Sequence, residues 1–289
     1  MNTLLELNAS GAYSAGPQGR GFVCRAAGAT LRLKGVTKLI NRRFKKARGA
    51  AAAGNGRTLR LFALPSGAVP TRNTMANGER IHRHVLHRLV CGRPYALCQC
   101  HRIYGGATPA LHTQSESVKA CVSAAQTFAE DYALVPLAGE VIVHHAPTGV
   151  GTRIDALFRN KGACGASGAD ERTPVVLVSW KSGAGPRDLV ELERHRAQVA
   201  FEWTALEETH GAVVSRAYVV YLTPVMRRGT HRVDGYYHAE PVARAAVADL
   251  VKRLQPTARE LAKTRARAVV PAFKPVTSAA RRPAKRRKV

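Results

Sequence analysis

The chain has 289 residues and a formal net charge of +26, from 45 Lys/Arg against 19 Asp/Glu. That length holds one large or two small domains with a sizeable core. No run reaches the ~18 apolar residues of a membrane span, so a soluble protein with no membrane partner is expected. The charge is uneven. Residues 1–73 hold 13 Lys/Arg against the single acid Glu6 (+12), residues 261–289 hold 10 and no acid (+10), and residues 74–260 are left with +4. Basic tails on a nearly balanced middle point to a polyanion partner, bound with salt-sensitive and sequence-independent affinity. Targeting sequences and solubilising segments share that composition.

Residues 1–30 are rich in Gly, Ala and Ser with scattered Arg and no periodicity, which predicts disorder. Being acid-poor, they also resemble an organellar transit peptide, though without its amphipathic repeat. From Leu31 the pattern tightens into a short strand, then a helix with Val36, Leu39, Ile40 and Phe44 on one face. Residues 47–73 are punctuated by Ala, Gly and Pro and read as a loop or insertion. A helix is predicted from Thr74 to Leu89, with Ile81, Val85 and Leu89 at i, i+4 and i+8 and His82, Arg83 and His84 off that stripe. After an irregular connection over 91–114, Ser115 to Tyr132 reads as a helix. Val118, Val122, Ala125 and Ala129 share its face, and Ser115 is its N-cap.

The period then changes to two. Glu140 to His145 and Thr152 to Phe158 flank a Pro-Thr-Gly turn, which predicts a β-hairpin. Lys161 to Arg172 is a glycine-rich loop, and Val175 to Trp180 is a fully apolar strand. Pro186 to His210 reads as a helix with Pro at its start and Leu189, Leu192, Val199 and Leu206 at helical spacing. A strand over Ala212–Leu222, an edge strand over His231–His238 and a closing helix from Pro241 to about Ala262 follow. A right-handed crossover makes the strands at Val175 and Val213 parallel. The expected fold class is α/β, a central mixed β-sheet flanked by helices. The expected organisation is a domain over 31–262 between disordered basic segments at 1–30 and 263–289.

Two of these strands carry chemistry. Gly151-Thr-Arg-Ile-Asp155 ends on an acid, and the strand from Val175 ends on Lys181. A carboxylate and an ammonium on adjacent strands are the minimal kit for metal-assisted phosphodiester cleavage. Mg2+ or Mn2+ takes hard oxygen ligands from one or two carboxylates, and lysine is a compact point charge suited to phosphate. Ser179 breaks the pattern: it stands two residues before Lys181, where that chemistry wants a second acid.

The ordered set Gly35-Val-Thr-Lys-Leu-Ile40, Gly78-Glu-Arg-Ile-His82, Glu140, Gly151–Asp155, Lys181 and Gln198 resembles the PD-(D/E)XK nuclease superfamily. Within it, the set is similar to the RecB-like exonuclease branch that includes viral and mitochondrial single-strand exonucleases. The resemblance spans about residues 31–223. It implies a restriction-endonuclease-like core and a Mg2+- or Mn2+-dependent DNA exonuclease of repair, recombination or genome processing, acting on single strands or ends. It also implies roles. Asp155 is the principal metal-binding carboxylate, His82 approaches the metal from its helix, and Glu140 is a supporting acid on the first hairpin strand. Lys181 orients water and stabilises phosphorane charge, and Gln198 supports the lysine and the DNA backbone. Arg153, Lys181 and Arg187 are the candidate nucleic-acid contacts.

Ser179 departs from the family, which carries Asp or Glu there, and three readings stay open. The acid has migrated to the helix, where Glu191, His195, Gln198 and Glu202 step by 4, 3 and 4 along one face. Or Asp155, Glu140 and the Trp180 backbone carbonyl suffice. Or the site is catalytically degenerate and the fold binds DNA without cleaving it. Taken alone, Glu191 and Glu202 read as surface charges.

Two further features lie outside this constellation. Cys91, Cys98, Cys100 and His101 lack the paired C-x2-C spacing of zinc modules, so ordinary free thiols are expected, with zinc or an iron–sulfur cluster as the alternative. The C-terminal Arg281-Arg-Pro-Ala-Lys-Arg-Arg-Lys-Val289 resembles a nuclear localisation signal of the large-T-antigen type. Lys285, Arg286, Arg287 and Lys288 would bind a nuclear import receptor. The expected location is the nucleus, with the mitochondrion as alternative.

Overall fold

A computed structural model describes residues 13–15, 22–26, 29–44, 64, 68–70, 75–91, 110–162, 173–183, 185–186, 188–227, 229 and 232–254. The chain divides into Met1–Gln255 and Pro256–Val289, and the described residues all lie in the first unit. No helix among them is long and apolar enough to cross a membrane.

The described strands form one mixed sheet: β1 (Tyr13–Ala15), β2 (Phe22–Ala26), β3 (Ala29–Gly35), β4 (Ala68–Pro70), β5 (Leu134–His145), β6 (Val150–Asn160), β7 (Val175–Ser182), β8 (Val214–Arg227) and β9 (Val233–Pro241). The path runs β1-β2-β3-β6-β7-β8-β4, with β5 paired to β6 and β9 to β8. The crossover expectation holds: β7 and β8 are parallel, with Val178 beside Tyr218 and Lys181 beside Tyr221.

Among the described residues, five α-helices cover the sheet: α1 (Val36–Arg43), α2 (Met75–Leu86), α3 (Glu116–Asp131), α4 (Leu189–Thr204) and α5 (Arg244–Leu254). Because side chains alternate along a strand, each buried strand feeds both faces. One face packs Ile154, Leu177 and Val219 against Val36 and Ile40 of α1, Val199 of α4 and Leu254 of α5. The other packs Phe158, Val178, Trp180 and Val220 against Ile81 and Val85 of α2 and Phe128 of α3. The architecture is α/β, a mixed sheet flanked by helices.

Several boundaries differ from expectation for local reasons. The helix predicted from Pro186 begins at Leu189, because Asp188 is its cap: Oδ1 accepts from the Glu191 amide at 2.7 Å. Leu189 of the predicted stripe is therefore exposed, while Leu192, Val199 and Leu206 are buried. Ser115 holds the N-cap backbone position of α3, but its side chain makes no capping bond. Strands β1 and β2 fall inside the stretch expected to be disordered. There Val23 pairs with Arg32 and Cys24 with Leu31, and the buried Cys24 joins the core. Among the described residues, the cysteines at 24, 91 and 121 form no disulfide; Cys98, Cys100 and His101 lie outside the described residues.

One irregularity positions everything that follows. Strand β6 pairs with β5 on both sides of Asp155, over Val150–Ile154 and Ala156–Asn160. Its other edge is shared: β3 takes Val150 and Gly151, and β7 takes Ala156 to Phe158. Residues 152–155 sit between these two ladders, at a split in the sheet.

Candidate active site

Asp155 sits where the β6–β7 ladder stops, since the register Ala156↔Val178 would next put Asp155 opposite Ser179. With no strand pairing there, its carboxylate satisfies the free backbone: Oδ2 accepts from the Trp180 amide at 2.8 Å and from Ser179 Oγ at 3.0 Å. Oδ1 points the other way, 3.7 Å from His82 Nδ1.

Glu140 faces Asp155 across the hairpin. The pairs Gly139↔Ala156 and Val141↔Ile154 bracket it, and its φ is +54°, a left-handed conformation inside a strand. A non-glycine residue held there is costly and is retained where the surroundings demand it. Its residue is buried, and Arg153 Nε lies 2.5 Å from Oε2. Gly139, the preceding residue, lets α2 come close: a Cβ there would meet Leu86 Cδ1 of α2 at 2.1 Å and displace that side chain. That close approach brings α2 and its His82 against the hairpin.

His82, Glu140 and Asp155 thus form a group, each offering one ligand atom, with these atoms all within 4.8 Å of one another. That is the span of ligands across one divalent ion at about 2.1–2.6 Å from each. Burial pushes the His82 pKa below the ordinary histidine value; Asp155 opposes this, and Lys181 and Arg153 reinforce it. The imidazole is therefore neutral near pH 7, the form that binds metals. Two carboxylates and one neutral imidazole fit a single divalent cation.

A hydrogen-bond chain leaves Asp155 on the other face of the sheet. Lys181 Nζ donates to Ser179 Oγ at 3.0 Å and to Gln198 Oε1 of α4 at 3.2 Å. Gln198 Nε2 donates to Glu202 Oε1 at 2.9 Å, and Thr152 Oγ1 donates to the same oxygen at 3.0 Å. The chain starts and ends on β6, enclosing its open edge. One helical turn before Gln198, His195 Nδ1 lies 2.9 Å from the Tyr221 hydroxyl. Burial first, and then the Lys181 charge, push the His195 pKa down to about 3, so the ring stays uncharged beside the lysine.

The sequence-derived residues therefore divide. His82, Glu140 and Asp155 come together in one group, and Lys181 and Gln198 join through Ser179. Arg153 and Lys181, expected at nucleic acid, also make contacts within the site; Arg187 and residues 285–288 lie outside the described residues. Glu191 stands in the first turn of α4, outside the group of His82, Glu140 and Asp155 that could hold a metal. Glu202 corrects the sequence reading. It is not a surface charge but wholly buried, and burial first, then the Asp155 charge, push its pKa up to about 8. The 4, 3, 4 spacing exposed its helix face; only the split in the sheet tells what that face meets.

No protein-family profile matches the chain, and no curated protein does. Among solved structures it is similar to that of LHK-Exo in complex with dAMP, at 12% identity and a TM-score of 0.29, over 66% of this chain and 91% of that one.

Proposed function

We propose that this chain is a metal-dependent DNA exonuclease, hydrolysing phosphodiester bonds in repair, recombination or genome processing. One observation carries the reading: His82, Glu140 and Asp155 converge within 4.8 Å, and a single Ser179 hydroxyl separates Asp155 from Lys181. His82, Glu140 and Asp155 would hold Mg2+ or Mn2+, which when bound polarises a phosphoryl oxygen and lowers the pKa of its water. Asp155 is oriented for this by its bonds to Trp180 and Ser179. Lys181 donates to two neutral partners, Ser179 and Gln198, so its charge is left for a phosphate oxygen. Arg153, 38% exposed beside Glu140, adds a second cation to the site. The basic ends of the chain supply salt-dependent affinity for single-stranded DNA or ends. Lys285–Lys288 direct the protein to the nucleus through an import receptor, with the acid-poor N-terminus giving the mitochondrial alternative.

The test is degradation of end-labelled single- and double-stranded DNA with Mg2+ or Mn2+, beside Asp155→Ala and Lys181→Ala. Both substitutions are expected to lower the rate by about 100-fold or more; activity unaffected by either sinks the assignment. The buried Ser179, with no negative charge to offer, favours one second reading, a nuclease-like scaffold that binds DNA without cutting it. That reading expects salt-dependent binding that survives Asp155→Ala and no cleavage under any divalent ion.

A further inference from the structure

We propose that Glu202 is a positioning residue of this site: its carboxyl fixes the orientation of the Gln198 amide and so sets where the Lys181 ammonium stands relative to Asp155. The inference rests on the nuclease reading for its kinetic consequence, but not for its geometry.

An amide side chain can sit either way round, and its neighbours decide which. Lys181 has only donors, so it needs the Gln198 oxygen. Gln198 Nε2 must then find an acceptor on its far side, and Glu202 Oε1 is that acceptor at 2.9 Å. Without it, a flipped amide would point N–H groups at the ammonium. Glu202 is fixed in its turn by Thr152 Oγ1, on the same strand as Asp155, so the lysine is referenced back to the metal-ligating strand through five consecutive hydrogen bonds.

The protonation state fits the role. Glu202 is fully buried, its Oε2 has no hydrogen-bond partner, and its carboxyl is held largely neutral at pH 7. An acid recruited to replace the missing carboxylate at Ser179 would have to be ionised and turned toward the His82–Glu140–Asp155 group. Instead Oε1 is committed to Gln198 and Thr152. What the site takes from Glu202 is an acceptor of fixed position rather than a charge.

The experiment compares Glu202→Gln and Glu202→Met with wild type in the full chain. Glutamine keeps an oxygen for Gln198 and Thr152 and is neutral; methionine keeps the volume and removes the acceptor. Glu202→Gln is expected to keep kcat within a few-fold, and Glu202→Met to lower kcat about 10- to 100-fold with KM for DNA little changed. The second readout needs no activity: the Gln198 side-chain amide resonances in a 15N NMR spectrum, assigned by their loss in Gln198→Ala. They should be shifted and protected from solvent exchange in wild type and Glu202→Gln, and move to solvent-exposed positions in Glu202→Met. If wild type cuts no DNA with any divalent ion, the nuclease reading fails and the amide spectrum alone decides the positioning role. Unchanged amide resonances in Glu202→Met overturn the proposal. So does a Glu202→Gln that loses kcat and divalent-ion affinity together, because the carboxylate charge would then be the working group. Should Glu202→Met not fold, Glu202→Asp, one methylene too short to reach Gln198, takes its place with the same expectations.

Discussion

Glu140 is held at φ +54° within β5, and two substitutions there separate its backbone from its carboxylate. Glu140→Ala and Glu140→Gly both remove the charge and its contact with Arg153, so those losses cancel in the comparison. The variants differ only in a Cβ. In the left-handed region a Cβ costs about 1–2 kcal/mol, while glycine loses about 0.5–1 kcal/mol more chain entropy on folding. Glu140→Gly should therefore be the more stable by about 0.5–1 kcal/mol, although glycine is ordinarily the poorer strand residue. In a protein of this size that is a difference of about 1–4 °C in Tm. Urea denaturation in EDTA measures it. Titration with Mn2+, followed by electron paramagnetic resonance, should show both variants binding at least about tenfold more weakly than wild type, a loss of about 1.4 kcal/mol. An alanine variant as stable as the glycine variant refutes the backbone argument. Wild-type Mn2+ affinity in both removes Glu140 from the ligand set.

Ser179→Ala removes the hydroxyl that bridges Asp155 and Lys181 in a fully buried position, and should destabilise the fold by about 1–3 kcal/mol. A change below about 0.5 kcal/mol in chemical denaturation would mean the bridge is not formed. His82→Asn should weaken Mn2+ more than Ca2+, because imidazole suits the transition ion and calcium prefers oxygen. Equal losses in calorimetric titrations of the two ions would take the ring out of the set. The pH dependence of stability should carry a Glu202 signature. Its folded pKa, about 8, lies above the ordinary value of 4.5, so the folded state retains a proton that the unfolded chain releases. Wild type should lose stability relative to Glu202→Gln as pH rises from about 4.5 to 8, by a few kcal/mol, and then level off. Histidines with lowered pKa values, such as His195, act in the opposite sense below pH 6.5 but cancel between the two proteins. Parallel stability curves would place Glu202 in a solvated site.

Periodicity made the layers legible. Ile81 and Val85 mark one face of α2, Val118 and Val122 one face of α3, and the unbroken apolar run at Val175 marks a strand buried on both sides. The order β7, α4, β8 then dictated a parallel pair. Asp155 and Lys181 were legible as a pair because each is a charged residue on a strand, Asp155 in the middle of β6 and Lys181 near the end of the apolar β7. Glu202 was not, since a carboxylate on an amphipathic helix is nearly always solvated, and nothing local to α4 reports a gap in the sheet beneath it. The left-handed Glu140 was equally silent: it falls between the pairs Gly139↔Ala156 and Val141↔Ile154, at a break in the β5–β6 pairing that nothing local in the sequence reports. Strands β1 and β2 escaped because each is too short to show a period.

The split edge of β6 also accounts for a serine where an acid is expected. At the gap, Asp155 Oδ2 already accepts from the Trp180 amide, and whatever occupies position 179 meets the same oxygen. A carboxylate there would place two like charges in contact, tolerable only with additional cations between them. A hydroxyl does what a carboxylate cannot: its proton goes to Asp155 while its lone pair accepts from Lys181. Every later bond direction follows, because the lysine must donate to Gln198, and Gln198 must then donate to Glu202. Glu202 in turn stays protonated, adding no charge. Were one divalent cation held there, Glu140 and Asp155 would balance it and leave Arg153 and Lys181 in excess. That surplus of positive charge is what the proposed phosphodiester substrate would meet.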